Sequence, residues 1–391
     1  MDRHEFLSLS GAAALAAVAP DFTTKASAAE LSAPPTDAPW RTLEVVTDVV
    51  IWPQDVPAKL WLPQYCDTEY QRTRDIRSAG NPAKTGIYRD PKYGAPAFFA
   101  QWDDRSAAPK LQVTNLITTY NRSVDRTRSG ERNSVPREEL DLFLQVTPHI
   151  PLGGNVRDTA SKIAPNASAD TLMRARAIYE WIVENTYRDL KVIGCGTGDI
   201  RFMLESGNLG GKCADLNALF VGLARSVGIP ARDVYGVRAA ASATWKSLGK
   251  SGDLTTAQHC RAEFYHPNLG WIPVDPEDVK KVVLEEEKDR LLPLDDPRVK
   301  LAHQTLFGYW DELDGFQHRQ RHQARPGNDQ ALRAFHVPLC GDDQRHAGLL
   351  RSAEFSVSHE RARGEDLNRP ARLWSDHRQP APWSLRSPPR S

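Results

Sequence analysis

The chain has 391 residues, with 50 lysines and arginines set against 50 aspartates and glutamates, so its formal net charge is zero. That length can build two domains with cores of their own, and the balanced charge argues against a surface that grips nucleic acid. Mean hydropathy is negative and no apolar run approaches the roughly 20 residues needed to cross a bilayer, which excludes a membrane span in the mature chain.

The first 28 residues read as an export signal. Arg3 and His4 precede Phe6-Leu7, an Ala/Leu-rich stretch runs from Leu9 to Ala19, and Ala26-Ser27-Ala28 offers a small-residue cleavage site. Asp2-Arg3-His4-Glu5-Phe6-Leu7 resembles a twin-arginine signal with His4 in place of the second arginine, so the general secretory route also stays open. Either route places the mature protein in the periplasm or outside the cell. Five cysteines (Cys66, Cys195, Cys213, Cys260, Cys340) make an odd count with no C-x-x-C pair and no zinc-type Cys/His spacing. No disulfide framework is expected, and at least one thiol is left over.

From residue 40 to about 150 the punctuation predicts a β-rich N-terminal domain. Val45 to Ile51 and Leu60 to Leu62 are short apolar or β-branched runs, and Leu111, Val113, Ile117 and Thr119 keep a period of two. The polar stretch from Tyr65 to Pro96 carries no clear pattern.

A catalytic α+β core is predicted over residues 165–285. Asn166 to Asp170 supply helix caps, after which Leu172, Ala175, Ile178, Tyr179, Ile182 and Val183 share one helical face. Gly194-Cys195-Gly196-Thr197-Gly198-Asp199 is a turn. Gly210-Gly211-Lys212 leads into a second helix opening at Cys213, with Leu216, Leu219, Phe220, Leu223 and Val227 at helical spacing and Gly228 and Pro230 as the stop. Asp233 to Arg238, His259 to Tyr265 and Trp271 to Asp275 read as antiparallel strands, the last two joined by the turn residues 266–270. Residues 286–391 form a C-terminal extension in which no core can be drawn after about Leu313; it reads as a tail without structure or as the product of a shifted reading frame.

A cysteine at a helix N-terminus sits among unpaired N–H groups and the positive end of the macrodipole, which favour a thiolate, and Lys212 adds charge. Gly210 and Gly211 let backbone approach closely, and the Cys213 N–H can serve an oxyanion. On the strand, His259, Arg261 and Glu263 share a face, and a turn closing between Tyr265 and Trp271 sets His259 opposite or diagonal to Asp275. Spacing alone therefore predicts a nucleophile, a base and an orienting carboxylate. Asn208 and Gln258 are candidate oxyanion donors, though each reads more readily as a loop hydrogen-bonder. Specificity is expected in loops such as the Ser/Gly/Lys-rich residues 239–257, read as mobile.

Three blocks resemble the transglutaminase-like superfamily of papain-like thiol enzymes: Gly211-Lys212-Cys213-Ala214-Asp215 opening a helix that ends Gly228-Ile-Pro-Ala-Arg232, His259 on a strand carrying Glu263, and Gly270-Trp271-Ile-Pro-Val-Asp275-Pro276. The resemblance spans about Asp170 to Val282. It implies a helix bearing the cysteine packed on an antiparallel sheet, with Cys213 as nucleophile, His259 as general base and acid, Asp275 as orienter, a thioester intermediate and no cofactor. Cys260-Arg261 departs from the Ala-Trp of many members, which is expected to alter the substrate pocket. The implied activity is a cysteine peptidase or amidase acting on a peptide, protein or peptidoglycan-like amide. The alternatives are a protein-crosslinking transglutaminase and a scaffold that keeps the fold without catalysis. The glycine spacings of 194–198 and 207–213 do not make phosphate loops, and no third metal ligand accompanies His259 and Asp275 at helical or short-loop spacing.

Overall fold

A computed structural model describes residues 40–51, 58–103, 109–126, 135–165, 169–242 and 244–310, together with the strands Leu313–His318, Arg333–His336 and Ser352–Glu360. The expected signal peptide lies outside the described residues. Among those described, no helix is long and apolar enough to cross a membrane.

The N-terminal region holds two four-stranded sheets. One runs Ser352–Glu360, Arg41–Val50, Lys110–Thr119, Gln71–Gly80; the other runs Arg333–His336, Ala58–Pro63, Pro96–Trp102, Lys84–Arg89. Leu43, Val45 and Val49 on one strand and Leu111, Val113 and Ile117 on its neighbour are buried, as a period of two demands. Val49, Leu60, Leu62, Phe98, Trp102 and Val113 join the two sheets in one cluster. Gln71–Gly80 and Lys84–Arg89 fill the stretch that carried no pattern. Both are edge strands, and nearly all their residues are at least partly exposed, so neither needs an alternating apolar face. Three of the strands fall after residue 312, in the segment where the sequence offered no core.

The second layer system is mixed helix and antiparallel sheet, as its sequence predicts. Thr171–Asn185 starts at Asp170, whose carboxylate accepts from the Leu172 N–H at 3.1 Å, and it buries Ala175, Ile178, Tyr179, Ile182 and Val183. Cys213–Ser226, the cysteine helix, is buried along its whole length. Leu216, Leu219, Phe220 and Leu223 are fully inaccessible in the main core, where truncating one to alanine costs about 2–5 kcal/mol. The stop comes at Gly228, in the left-handed region at φ 81°.

The cysteine helix packs on a sheet ordered Gly270–Val274, Gln258–His266, Ala231–Arg238, Leu313–His318. Tyr265 pairs with Trp271 and Ala262 with Val274. Continuing that register by one residue sets Arg261 opposite Asp275 and leaves His259 on the diagonal. Asp275 itself ends the strand by capping a helix, Pro276–Glu285, that the sequence reading did not predict. Its carboxylate accepts from the Asp278 N–H at 3.0 Å with Pro276 at the first helical position, an arrangement that an Asp-Pro pair encodes.

Candidate active site

Cys213 is the first residue of its helix and His259 sits in the middle strand, while Asp275 occupies the strand-to-helix corner; all three are buried. The side chains of Cys213 and His259 are hydrogen-bonded. His259 Nε2 lies 2.7 Å from Asp275 Oδ2, which leaves Nδ1 as the ring nitrogen for the sulfur. Sulfur, imidazole and carboxylate are thus in series.

The first turn of the cysteine helix is stapled from within. Asp215 accepts from the Lys212 N–H at 3.0 Å and from the Gly198 N–H at 2.7 Å, tying the glycine turn to the helix start. A side chain at Gly196 has no room, because a Cβ there would meet the Asp215 carboxylate at 1.7 Å, and Gly196 itself takes φ 92°. A Cβ at Gly210 would lie 2.4 Å from the exposed Tyr187 ring, which would have to turn aside. One turn on from Cys213, Asn217 Nδ2 donates to Asp275 Oδ1 at 3.1 Å and to the Cys260 carbonyl at 2.6 Å. A single amide therefore ties the helix of the sulfur to the strand of the imidazole and to the carboxylate.

Behind the imidazole lies a cluster of buried charge. Asp275, Glu277 and Asp278 face Arg188, Arg238 and Arg261. Arg261 Nε is 3.0 Å from Asp275 Oδ2 and its Nη2 is 3.5 Å from Asp278 Oδ2, Arg238 pairs with Asp278, and Arg188 pairs with Glu277. The departure at Arg261, expected to alter the substrate pocket, places a guanidinium against Asp275. Ligand atoms of His259, Asp275, Glu277 and Asp278 lie within 4.8 Å of one another, so the folded chain does supply further potential ligands to this pair, against the expectation from spacing. Three guanidinium groups already meet those carboxylates.

Burial governs the ionisation of these groups. It pushes the Cys213 thiol well above its ordinary value, with Cys195 adding to the effect and His259 opposing it. It pulls His259 down, helped by Arg238. Desolvation thus opposes the thiolate that the helix terminus favours. Burial and then the Asp278 charge push Asp275 up to about 8. Asp278 is also opposed by burial, but Arg238, His259 and Arg261 hold it far below the usual carboxylate range.

The two proposed oxyanion side chains point elsewhere. Asn208 Oδ1 accepts from the Tyr187 hydroxyl and the Gly210 N–H, and Gln258 Nε2 donates to the Thr255 carbonyl at 2.9 Å. Both serve loops, and the Cys213 N–H stands at the head of its helix, where N–H groups lack intrahelical partners. The loop over 239–257, expected to be mobile, is pinned. Trp245 and Leu248 enter the main core, and Glu286 accepts from the Lys246 and Ser247 N–H groups and the Ser247 hydroxyl. Leu254 and Ala257, with Leu43, Val45, Tyr65 and Ile117 from the N-terminal region, enclose the cluster that contains Cys213.

The family model of the transglutaminase-like superfamily matches residues 157–276. An uncharacterized protein of Haemophilus influenzae is 34% identical over 275 residues, which cover 66% of this chain and 73% of that protein. The chain belongs to the transglutaminase-like superfamily. The matched segment holds Cys213, His259 and Asp275, and it extends further toward the N-terminus than the resemblance read from the motifs. Among solved structures, a candidate cysteine protease from Cytophaga hutchinsonii is similar at 16% identity and TM-score 0.48, over 71% of this chain and 81% of that one. The periplasmic domain of TgpA from Pseudomonas aeruginosa is similar at 18% identity and TM-score 0.35, over 63% and 89%.

Proposed function

We propose that this transglutaminase-like protein is a cysteine hydrolase, a peptidase or amidase, that cleaves an amide through a thioester. The observation that carries the reading is the unbroken series from the Cys213 thiol through His259 to Asp275. As the substrate carbonyl approaches, His259 Nδ1 takes the thiol proton and Sγ attacks carbon. The Cys213 N–H supports the oxyanion at the head of the helix. Imidazolium then gives its proton to the departing amine, leaving a thioester that water resolves with His259 as base. Asp275 holds the Nε2–H tautomer and stabilises the imidazolium.

The substrate is a peptide, protein or peptidoglycan-like amide, and the residues named supply every proton transfer. The N-terminal segment supports export, which cell fractionation of a tagged full-length chain tests: retention of the unprocessed protein in the cytoplasm would contradict it.

Competition between water and amines tests the activity itself. The purified protein is incubated with a glutamine-containing peptide and a fluorescent primary amine. Release of ammonia or of a cleaved amine without label is the expected result. Faster formation of labelled adduct would make it a cross-linking transglutaminase, and neither product from any peptide or muropeptide substrate would favour a scaffold.

A further inference from the structure

The glycine turn at 194–198 brings a second sulfur to the first. Cys195 is buried, its thiol donates to the Gln258 carbonyl at 3.7 Å, and its sulfur raises the Cys213 value alongside burial. The sulfurs of Cys195, Cys213 and Cys260 lie within 4.8 Å of one another, and Cys260 is itself disulfide-bonded, which leaves Cys195 as the thiol beside Cys213. The backbones abut as well: the Cys195 carbonyl accepts from the Ala214 N–H at 2.9 Å. That contact sets the glycine turn directly against the first turn of the cysteine helix.

The acyl-transfer scheme makes no use of Cys195, yet its placement is heavily specified. Gly194, Gly196 and Gly198 all take left-handed φ values around it, and Asp215 clamps the turn to the helix of Cys213. We propose that Cys195 and Cys213 form a redox-active dithiol, a site for two-electron oxidants of the peroxide or disulfide class.

With a peroxide, the Cys213 thiolate attacks one peroxide oxygen. The O–O bond breaks, alkoxide or hydroxide leaves, and Cys213 becomes a sulfenic acid. The Cys195 sulfur then attacks the sulfenic sulfur, forming S–S; hydroxide leaves and takes the Cys195 proton as water. A dithiol reductant returns both thiols by exchange. The glycines on either side of Cys195 let the turn take up the closing movement. Formation of this bond needs only the two sulfurs; its consequence, reversible silencing of acyl transfer, rests on Cys213 being the nucleophile.

The test uses the full chain, oxidised with hydrogen peroxide, quenched with iodoacetamide and digested with trypsin. A bridge joins two defined peptides, residues 192–201 and 213–225. The expected result is that linked pair, with Cys213 alkylation lowered at least tenfold and restored by dithiothreitol. In Cys195→Ser, and in Cys195→Ala if serine folds poorly, dithiothreitol should fail to restore Cys213, because its sulfenic acid lacks the resolving thiol and oxidises further. A Cys213 that pairs with Cys66, resists oxidation, or is over-oxidised at the same rate with and without Cys195 would overturn the proposal. The linked peptides would form even in a protein without hydrolase activity, so the two readings fail separately.

Discussion

His259 and Arg261 share one carboxylate oxygen: Asp275 Oδ2 lies 2.7 Å from His259 Nε2 and 3.0 Å from Arg261 Nε. They alternate by two along a strand and so face the same way, which makes the contact a direct outcome of sheet geometry. Arg261 also reaches Asp278, and its charge opposes the rise that burial and Asp278 impose on Asp275.

Arg261 is therefore expected to set the pH range of activity. It is among the groups that lower Asp275, so Arg261→Gln raises the pH at which that carboxyl ionises and moves the acid limb of kcat/KM upward. Arg238, Asp278 and Glu277 also surround the site and remain in the variant. Arg261→Lys keeps the charge and should lie nearer the parent. A pH–rate profile of Arg261→Gln that superimposes on the parent's would refute this role.

Removing His259 should make Cys213 a poorer nucleophile at every pH below its own ionisation. The imidazole opposes the effect of burial on the thiol, so in His259→Ala the rise of iodoacetamide alkylation with pH is displaced upward. Alkylation followed by mass spectrometry at several pH values checks it. Equal profiles would mean that the contact carries no coupling.

Asp275→Asn keeps a capping oxygen for the helix that follows but loses the charge behind the imidazole. Turnover should fall by about 10⁴-fold, as when the orienting carboxylate of a triad is neutralised, while the fold persists. Steady-state kinetics beside circular dichroism separate the two effects. A loss under tenfold would show that Asp275 does not orient the base.

Glu286 provides a stability prediction remote from the chemistry. Burial pushes its carboxyl up, but hydrogen bonds from Ser247 and Lys246, with the Arg298 charge, outweigh that and hold it below its ordinary value. A depressed folded value stabilises the protein above the unfolded carboxylate range, and the contribution disappears as pH falls through the folded value. Glu286→Gln should cost about 1 kcal/mol or less at neutral pH, because solvent screens a part-exposed carboxylate, and the difference from the parent should shrink on acidification. Urea denaturation at pH 7 and at pH 3.5 measures both; a pH-independent difference would contradict the assignment.

Much of this arrangement was legible before folding. The cysteine helix carries its own start and stop, and the period of two along 259–263, with a five-residue turn, is enough to bring His259 toward Asp275. The helix after Asp275 is legible too, since Asp-Pro encodes a cap and a first residue. Less could be foreseen where sequence separation is long and the signal is a single residue. Cys195 approaches Cys213 only because Asp215 bonds back across the glycine turn, and Asn217 shows itself only as the residue one helical turn on. Burial was hidden in another way: a helix N-terminus favours a thiolate, but Leu43, Val45, Tyr65 and Ile117, distant in the chain, share the buried cluster of Cys213, where desolvation opposes the anion.

The most direct measurement of the central claim is a single-turnover reaction with the activated ester p-nitrophenyl acetate. The account predicts a burst of one equivalent of p-nitrophenolate, an acetyl group on the 213–225 peptide, no burst in Cys213→Ala and a burst slowed by about a thousandfold or more in His259→Ala. Acetyl appearing on another residue, or a burst at the parent's rate without His259, would contradict it.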